Sequence, residues 1–372
     1  METKGKKDMQ KSKKILAILL SIALILSLVA CSPSQNNNGA VDGAATVEFV
    51  DGLGRTVTIP APETLERIYC DSTNSFALQY ILAPDTITAS PQNFTEADAP
   101  YVPEKFFNLP TYGTMSGANG VLDYEKIKAA DVQLIIGTAT TQSDIERIDE
   151  LQIQLGIPVI VFSTHLDKLP ETFTLLGKAL GHEEEAAIVV DYFNGIVDKV
   201  TGVVAKIPES KRPTLYYAEG KDGLATEPGN SDRSIIFNMC GAKNVAQVDA
   251  ISGFGQAEVS MESLLSWNPE VIIVQGYSGA YDMIKTSKDW ASITAVKNGK
   301  VYEMPSKPFS WADRPPGANR FIGLLWLADV FYPDEMNINL VEEVIDYYKV
   351  IYHVDITNSD AEKLLVNAVP KN

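Results

Sequence analysis

The clearest pattern in the chain is a helical repeat over residues 182–207. Its apolar residues recur every three or four positions, which is the period of an α-helix with one apolar face. Gly181 precedes the segment, Pro208 follows it, and acidic residues occupy its first turn, as the helix dipole favours. At about 1.5 Å per residue the helix would be roughly 39 Å long, which spans a small domain. The apolar positions are Val189, Phe193, Ile196, Val197, Val200, Val203, Val204 and Ile207.

Short apolar runs alternate with helical stretches before this helix. Residues 47–50 and 55–59 flank an Asp-Gly-Leu-Gly turn and predict a β-hairpin. Alternation of strand and helix after the hairpin predicts a mostly parallel sheet covered on both faces. The predicted strands are 68–70, 86–89, 132–136 and 159–162, and the predicted helices are 75–82, 142–155 and 169–180.

The same alternation returns after residue 207. Asp313, followed by Pro315 and Pro316, is predicted to be the N-cap of the first long helix in this half. The predicted strands are 215–218, 271–274 and 301–304, and the predicted helices are 321–331, 340–350 and 359–366.

Residues 125–136 and 262–273 match in spacing. In each segment a glutamate opens a short helix, Asp or Asn follows six residues later, and an apolar strand follows. The match indicates two related lobes, although a helix followed by a strand also arises by chance. We therefore predict an α/β fold with two Rossmann-like lobes, whose mostly parallel sheets are joined by a single long α-helix. The predicted boundaries are 46–181 for the amino-terminal lobe, 182–207 for the helix and 208–372 for the carboxy-terminal lobe.

The first thirty residues are typical of an export signal. Six lysines precede an apolar run over 15–30 that stops at Cys31. The run is shorter than the roughly 20 residues of a membrane span, and an uncleaved signal anchor is the alternative. Leu28-Val29-Ala30-Cys31 resembles the lipobox of bacterial lipoproteins, which implies removal of 1–30, acylation of Cys31 and an extracytoplasmic protein anchored to the cell membrane. Residues 31–45 are typical of a flexible tether.

The chain is acidic, with a net charge of −17 at pH 7. Such a protein repels nucleic acid, so an anionic ligand must be met by locally placed Lys or Arg side chains. Cys70 and Cys240 fall in different halves of the chain, and we expect them to be buried free thiols.

Loops that follow predicted strands carry the candidate ligand-binding residues, because ligands of parallel sheets collect beyond the carboxyl ends of the strands. Basic side chains there can pair with carboxylate, catecholate or oxyanion groups, and aromatic rings can stack on a ligand. For Arg320, inside a predicted helix, a structural salt bridge is the favoured interpretation. The candidates are Thr138, His165, Tyr277, Lys307, Trp311 and Arg314.

An exported α/β enzyme is the competing class of protein. The sequence has no Gly-x-Ser-x-Gly nucleophile elbow, no phosphate-binding loop and no dinucleotide fingerprint. His165, His182 and His353 are the only histidines, which argues against a bare zinc or manganese site. We therefore expect no catalytic residues and no directly bound metal.

Several segments in order resemble a known family. They are residues 51–60 (Asp-Gly-Leu-Gly-Arg-Thr-Val-Thr-Ile-Pro), Glu66-Arg67-Ile68, the two glutamate segments, the long helix, and Gly323-Leu324-Leu325-Trp326-Leu327-Ala328 before Tyr332-Pro333. Together they resemble the helix-linked solute-binding lipoproteins of bacterial ABC importers for ferric siderophores, haem and cobalamin. The resemblance covers essentially all of the mature chain.

The resemblance implies a small-molecule metal chelate held in a shallow cleft between the lobes, without a cofactor, and delivered to a permease dimer with its ATPase. An iron–siderophore chelate is the expected ligand, and molybdate or tungstate, or cobalamin or haem, are alternatives. Glu125 and Glu262 match glutamates that dock onto permease arginines in this family. Charge compensation at a helix N-terminus is the alternative role for both residues.

If Cys31 is the lipidation site, Cys31→Ser should release the protein into the medium or leave it unprocessed, because the acyl chains lose their point of attachment. Intact-mass analysis of the wild-type protein should show a diacylglycerol adduct. A soluble wild-type protein of unmodified mass would contradict this prediction.

Overall fold

Two antiparallel strands open the described part of the chain. The computed structural model describes residues 45–115, 120–139, 142–249 and 256–370. Strand β1, Thr46–Val50, pairs with β2, Thr56–Pro60, which confirms the predicted hairpin. The Asp51 carboxylate accepts hydrogen bonds from the backbone N–H of Arg55 at 3.0 Å and from that of Val161 at 3.1 Å. Asp51 therefore closes the hairpin turn and attaches it to the sheet behind it.

A three-stranded parallel sheet forms the centre of the amino-terminal lobe. Its strands are buried, which explains their nearly continuous apolar sequences. In spatial order the strands are β3 Ile68–Cys70, β4 Leu134–Thr138 and β5 Val159–Phe162. The helices of this lobe are α1 Thr73–Leu82, α2 Tyr124–Ala129, α3 Gln142–Leu155 and α4 Leu169–Leu180.

Residues 86–89 do not form the strand that their apolar sequence predicts. The chain makes a 3-10 turn at Pro84–Thr86, and Ile87 pairs with Ile68 through an isolated bridge. Proline fixes φ and has no N–H to donate, so Pro84 favours the turn over an additional strand.

The predicted linker helix is observed as α5, Glu183–Val204, and its predicted last turn lies outside the helix. Its 22 residues are roughly 33 Å long at about 1.5 Å per residue. Gly181 ends α4 with φ +72°, a left-handed conformation that glycine adopts without strain. Gly177 lies so close to α5 that a Cβ there would be 2.5 Å from the Cβ of Ala186. The two helices therefore depend on a missing side chain for their close contact.

Six strands belong to the carboxy-terminal lobe: β6 Thr214–Ala218, β7 Ala225–Thr226, β8 Lys243–Asn244, β9 Ala257–Glu258, β10 Val271–Val274 and β11 Val301–Glu303. A four-stranded parallel sheet forms its centre, in the order β11, β10, β6, β8. The short strands β7 and β9 form a separate pair beside it. The helices are α6 Ile235–Met239, α7 Met261–Trp267, α8 Tyr281–Thr286, α9 Thr294–Lys297, α10 Asn319–Phe331, α11 Pro333–Met336, α12 Leu340–Ile351 and α13 Asn358–Leu365. Of the helices in the described ranges, none has both the length and the hydropathy of a membrane span.

One apolar core runs through both lobes. On α5, the ring of Phe193 packs against Phe321 of α10, with 4.5 Å between ring centroids. After α12, the backbone carbonyl of Tyr352 accepts a hydrogen bond at 2.7 Å from the hydroxyl of Tyr80, which belongs to α1. The carboxy-terminal helices therefore pack on the amino-terminal lobe, and the lobes are joined by more than the linker.

The prediction that Asp313 caps a helix was wrong, because α10 begins only at Asn319. The carboxylate of Asp313 is fully buried. It accepts hydrogen bonds from the hydroxyl of Tyr217 at 2.8 Å and from that of Ser310 at 2.5 Å. Asp313 thus bonds to groups beside the sheet, and among the described residues it makes no hydrogen bond to the N-terminus of α10.

The two matching glutamate segments have equivalent local structures. Glu125 is the second residue of α2, and Glu262 is the second residue of α7. Each helix has a side-chain N-cap, Asp123 in the first lobe and Ser260 in the second, and each leads into a parallel strand. The predicted repeat therefore extends to the position of the glutamate within its helix.

Both remaining cysteines, Cys70 and Cys240, are buried and free. This confirms the expectation of free thiols. Burial raises the pKa of the Cys70 thiol, so the thiol stays neutral and donates a hydrogen bond to Gln79 Oε1 at 2.8 Å.

Candidate functional site

Loops at the carboxyl ends of the two sheets meet between the lobes. His165, three residues after β5, contacts Asp232 of the carboxy-terminal lobe, with 2.7 Å between Nδ1 and Oδ1. The other carboxylate oxygen of Asp232 lies 3.3 Å from Nη2 of Arg320. Arg320 is fully buried, and its Nε donates to the backbone oxygen of Ala312 at 2.9 Å. Arg320 therefore has the structural salt bridge expected for it, and His165 marks where the lobes approach each other.

Arg314 lies among three buried acids of the carboxy-terminal lobe, and we call these four residues the Arg314 cluster. Its Nη1 contacts Glu219 Oε1 at 2.5 Å and Asp313 Oδ2, and its Nη2 lies 3.3 Å from Glu227 Oε1. The three acid side chains are 0% exposed, whereas the Arg314 side chain is 27% exposed. The guanidinium thus covers the acids and leaves part of its own surface open.

The sheet places Glu219 of the cluster next to Gln275. Glu219 directly follows β6, and Gln275 directly follows the neighbouring strand β10. Gln275 Nε2 donates to Glu219 Oε1 at 2.9 Å. Burial raises the pKa of Glu219 to about 7, although Arg314 opposes this shift. Burial acts to lower the pKa of Arg314, but Asp313 and Glu219 outweigh it and the net pKa lies above its ordinary value. Burial thus moves the titration of Glu219 toward neutral pH.

A second guanidinium, that of Arg233, lies beside the cluster, and the sequence did not single it out. Its Nη1 donates at 2.8 Å to the Glu227 oxygen that Arg314 also contacts. The Arg233 side chain is 22% exposed. It lies in a 3-10 turn, Asp232–Ser234, after a polar loop that contains Pro228 and Gly229. The polar loop was the sequence feature that could have pointed to Arg233 as a site residue, but only the fold shows that this loop lies beside Arg314.

The two aromatic candidates take different positions. Tyr277 is 54% exposed, and its hydroxyl accepts a hydrogen bond from Gln275 Nε2 at 2.8 Å, which places it beside the Arg314 cluster. Trp311 is fully buried against Trp326, with 6.2 Å between ring centroids. A ring without an exposed face cannot stack on a ligand in this conformation, so we leave Trp311 out of the site.

Lys307 makes a second polar contact between the lobes. Its Nζ lies 2.9 Å from Asp98 Oδ1 of the amino-terminal lobe. Burial acts to raise the pKa of Asp98, but the hydrogen bond from Lys307 helps to hold the net pKa below its usual range. The structure therefore gives Lys307 a partner within the protein, and it does not join Lys307 to the Arg314 cluster.

The amino-terminal lobe contributes small polar groups at its strand ends. Thr138 is the last residue of β4 and is half-buried. Asp71 follows the neighbouring strand β3, is fully buried, and accepts a hydrogen bond from the hydroxyl of Ser75 at 2.7 Å. Burial raises the pKa of Asp71 to about 6, against the lowering effect of hydrogen bonds from Ser75 and Ser72.

The remaining predicted functional residues lie away from the strand ends or outside the described part of the chain. Glu125 and Glu262 are both exposed on their short helices. Cys31 lies outside the described residues. Within the ranges that the structure describes, no three His, Cys, Asp or Glu side chains form a group that could hold a metal ion.

Comparison with known proteins identifies the family. Residues 81–308 match the family described as periplasmic binding protein. The chain belongs to the periplasmic binding protein family. This confirms the resemblance to the helix-linked solute-binding proteins, and the two-lobed α/β architecture agrees with it.

Individual relatives of this periplasmic binding protein differ in their ligands. A solved ABC transporter solute binding protein from Sulfurospirillum deleyianum has a TM-score of 0.78 and 30% identity, over 86% of this chain and 99% of that one. The molybdate-binding protein MolA of Haemophilus influenzae is 33% identical over 159 residues, 42% of this chain and 44% of MolA. The Fe(3+)-citrate-binding protein YfmC of Bacillus subtilis is 23% identical over 301 residues, 78% of this chain and 90% of YfmC. The MolA match thus spans less than half of that protein.

Asp71 should make the protein less stable as the pH rises from about 4 to about 6, because over this range the native state keeps a proton that the unfolded chain loses. The raised pKa corresponds to a loss of roughly 3 kcal/mol in the free energy of unfolding. Asp71→Asn should remove this part of the pH dependence, since the amide stays neutral and still accepts from Ser75. Urea unfolding of both proteins across this range measures the effect, and parallel pH profiles would contradict it.

Proposed function

We propose that this periplasmic binding protein is the lipid-anchored, extracytoplasmic substrate-binding component of an ABC importer. In this proposal it captures an iron–siderophore-type chelate with anionic groups at the strand ends between the lobes, and delivers it to a permease. The membership of the family supports the general role. The arrangement of Arg314 and Arg233 supports the class of ligand.

The two neighbouring guanidinium groups are the observation that favours an anionic ligand. Arg314 and Arg233 both contact the same oxygen of Glu227, so their charged groups lie close together, and both side chains are partly exposed. Guanidinium groups offer several N–H donors in a plane, which suits carboxylate and catecholate oxygens. Tyr277, exposed beside them, offers a ring for the apolar part of a chelate.

Ferric citrate is the ligand that we would test first. It is an anionic iron chelate whose carboxylates suit the two arginines. YfmC, which matches this chain over most of both lengths, is by its name a ferric citrate-binding protein.

Molybdate is the second candidate ligand. The 33% identity to MolA over 159 residues favours it. A small oxyanion needs only a few polar donors and no aromatic wall, and the burial of Trp311 removes the larger predicted stacking ring. Direct competition between molybdate and ferric citrate for the purified protein would decide between the two candidates.

Arg314→Ala should weaken the binding of ferric citrate or molybdate by about 1.5 to 3 kcal/mol, the typical contribution of a hydrogen bond to a charged group. Isothermal titration calorimetry measures the change. Arg314→Lys keeps the positive charge among the buried acids and should lose part of the affinity, because the planar fork is missing. Lys300→Ala removes an exposed basic residue at the opposite, amino-terminal end of β11 and should bind like wild type. Unchanged affinity in a folded Arg314→Ala protein would place the ligand site elsewhere.

We also propose that Glu125 and Glu262 orient the protein on the permease. The two glutamates occupy the same position in equivalent helices of the two lobes, and both are exposed. A permease dimer offers two equivalent basic surfaces, so one acidic contact from each lobe fixes the orientation. Exposed ion pairs contribute only about 0.2 to 1 kcal/mol each, so they would orient the complex more than hold it.

Substituting Glu125→Ala and Glu262→Ala together should leave ligand affinity intact and abolish uptake in cells, because only the docking contacts are lost. Reversing both residues to Arg should impair uptake further. Glu146→Ala combined with Glu258→Ala removes one exposed glutamate from each lobe elsewhere and should transport normally. Normal uptake by the first double mutant would contradict a docking role and leave both glutamates with charge compensation at the helix N-termini as their only role.

A further inference from the structure

The Arg314 cluster contains more acidic than basic groups. Glu219, Glu227 and Asp313 are fully buried, and within the described residues Arg314 and Arg233 are the basic side chains bonded to them. One carboxylate charge is therefore left over before any anionic ligand arrives. One oxygen of Glu219 and one of Glu227 are buried without a hydrogen-bond partner in the described part of the chain. The arginines that are proposed to bind an anion thus lie against buried acids whose negative charge is not fully balanced.

An anionic ligand must compete with these acids for Arg314. Nη1 of Arg314 is already engaged by both Glu219 and Asp313. The ligand therefore reaches an Nη1 donor of Arg314 only when one of these two acids releases it. In addition, two anions close together in a poorly solvated site disfavour each other's charge. Both difficulties disappear if one of the acids becomes neutral when the ligand binds.

We propose that Glu219 is a positioning residue of the ligand site: when an anionic ligand binds, Glu219 takes up a proton and Arg314 exchanges its bond to Glu219 for a bond to the ligand. This inference rests on the proposed capture of an anion. The proton comes from solvent and goes to the Glu219 carboxylate, while Arg314 keeps its own protons. The complex therefore gains one proton, which offsets one negative charge of the ligand.

The contacts of the three acids single out Glu219. Asp313 accepts hydrogen bonds from Tyr217 and Ser310 in addition to Arg314, so it remains bonded as an anion when Arg314 moves. Glu227 keeps its ion pair with Arg233. The other partner of Glu219 is an amide, that of Gln275, which can bond to a neutral carboxyl group as well as to a carboxylate. Of the three acids, Glu219 therefore gives up the fewest favourable contacts when it becomes neutral.

The other groups around Glu219 agree with this assignment. Its pKa is raised to about 7 by burial, so protonation near neutral pH requires little free energy. Arg314 lowers this pKa while it is bonded to Glu219, and its departure toward a ligand raises the pKa further. The titratable and charged groups that face Glu219 are Arg314, Asp313, Glu227, Tyr216, Tyr217 and Tyr277.

Calorimetric titration with molybdate and, separately, with ferric citrate tests the proposal, at several values between about pH 6 and about pH 9 and in two buffers of different ionisation heat. Molybdate stays a dianion over this range, so any proton taken up belongs to the protein. Above about pH 7 we expect uptake approaching one proton per ligand, and an affinity that falls by up to tenfold per pH unit.

Two substitutions separate Glu219 from its neighbour. Glu219→Gln imitates the protonated side chain, so its affinity should be independent of pH over this range and its binding heat independent of the buffer. Glu227→Gln removes the same charge from the same cluster but leaves Glu219 able to titrate, so proton uptake should persist and begin at a lower pH, because the charge of Glu227 raises the pKa of Glu219. Proton uptake that survives in Glu219→Gln, or a pH-independent affinity in the wild-type protein, overturns the proposal.

A ligand-free measurement decides the inference if neither anion binds, an outcome that would reject the two proposed ligands. Arginine side-chain nitrogen signals followed by NMR should show Arg314 changing with a midpoint near pH 7 in the wild-type protein, because Glu219 releases it on protonation. The change should be absent in Glu219→Gln. Arg314 signals that stay constant through this range in the wild-type protein overturn the proposal whatever the ligand.

Discussion

The continuous apolar core that passes through both lobes is the constraint on which the rest of the structure depends. Helix α5 buries one face along its length, and Phe193 connects that face to Phe321 of α10. The hydrogen bond from Tyr80 to the backbone of Tyr352 ties the lobes together at a second place. Moving the lobes apart would expose this shared core to water, at a cost that grows with the apolar area uncovered. The spacing of the strand ends is therefore set before a ligand arrives.

Because the distance between the strand ends of the two lobes is fixed, recognition of a ligand depends on the side chains there. His165 reaches Asp232 across the lobes, and Lys307 reaches Asp98. These contacts join the strand-end loops of the two lobes directly. If the ligand binds where we propose, adaptation to it falls to groups such as Arg314, which has three acidic side chains within bonding distance. Such a site gains from preorganisation, because little of the binding free energy is spent on ordering the protein.

Local sequence patterns predicted the secondary structure well and the site only in part. The predicted helices 142–155 and 169–180 and the strand 159–162 have the observed ends, because apolar period and punctuating residues are local signals. The loops gave no such signal. Asp313 has the sequence surroundings of a helix cap, and its actual partners, Tyr217 and Ser310, are chosen by tertiary packing. Arg233 was overlooked for the same reason, since its neighbour Arg314 is distant in sequence.

The contact between α4 and α5 has a consequence for how such proteins diversify. Gly177 lets α5 approach to a distance that even a methyl group would prevent. A helix roughly 33 Å long acts as a lever arm, so a tilt of about 5° at this joint would displace its far end by roughly 3 Å. One substitution at Gly177, far from the strand ends, could thus change the distance between the lobes. The size of the molecule that fits between them would change with it.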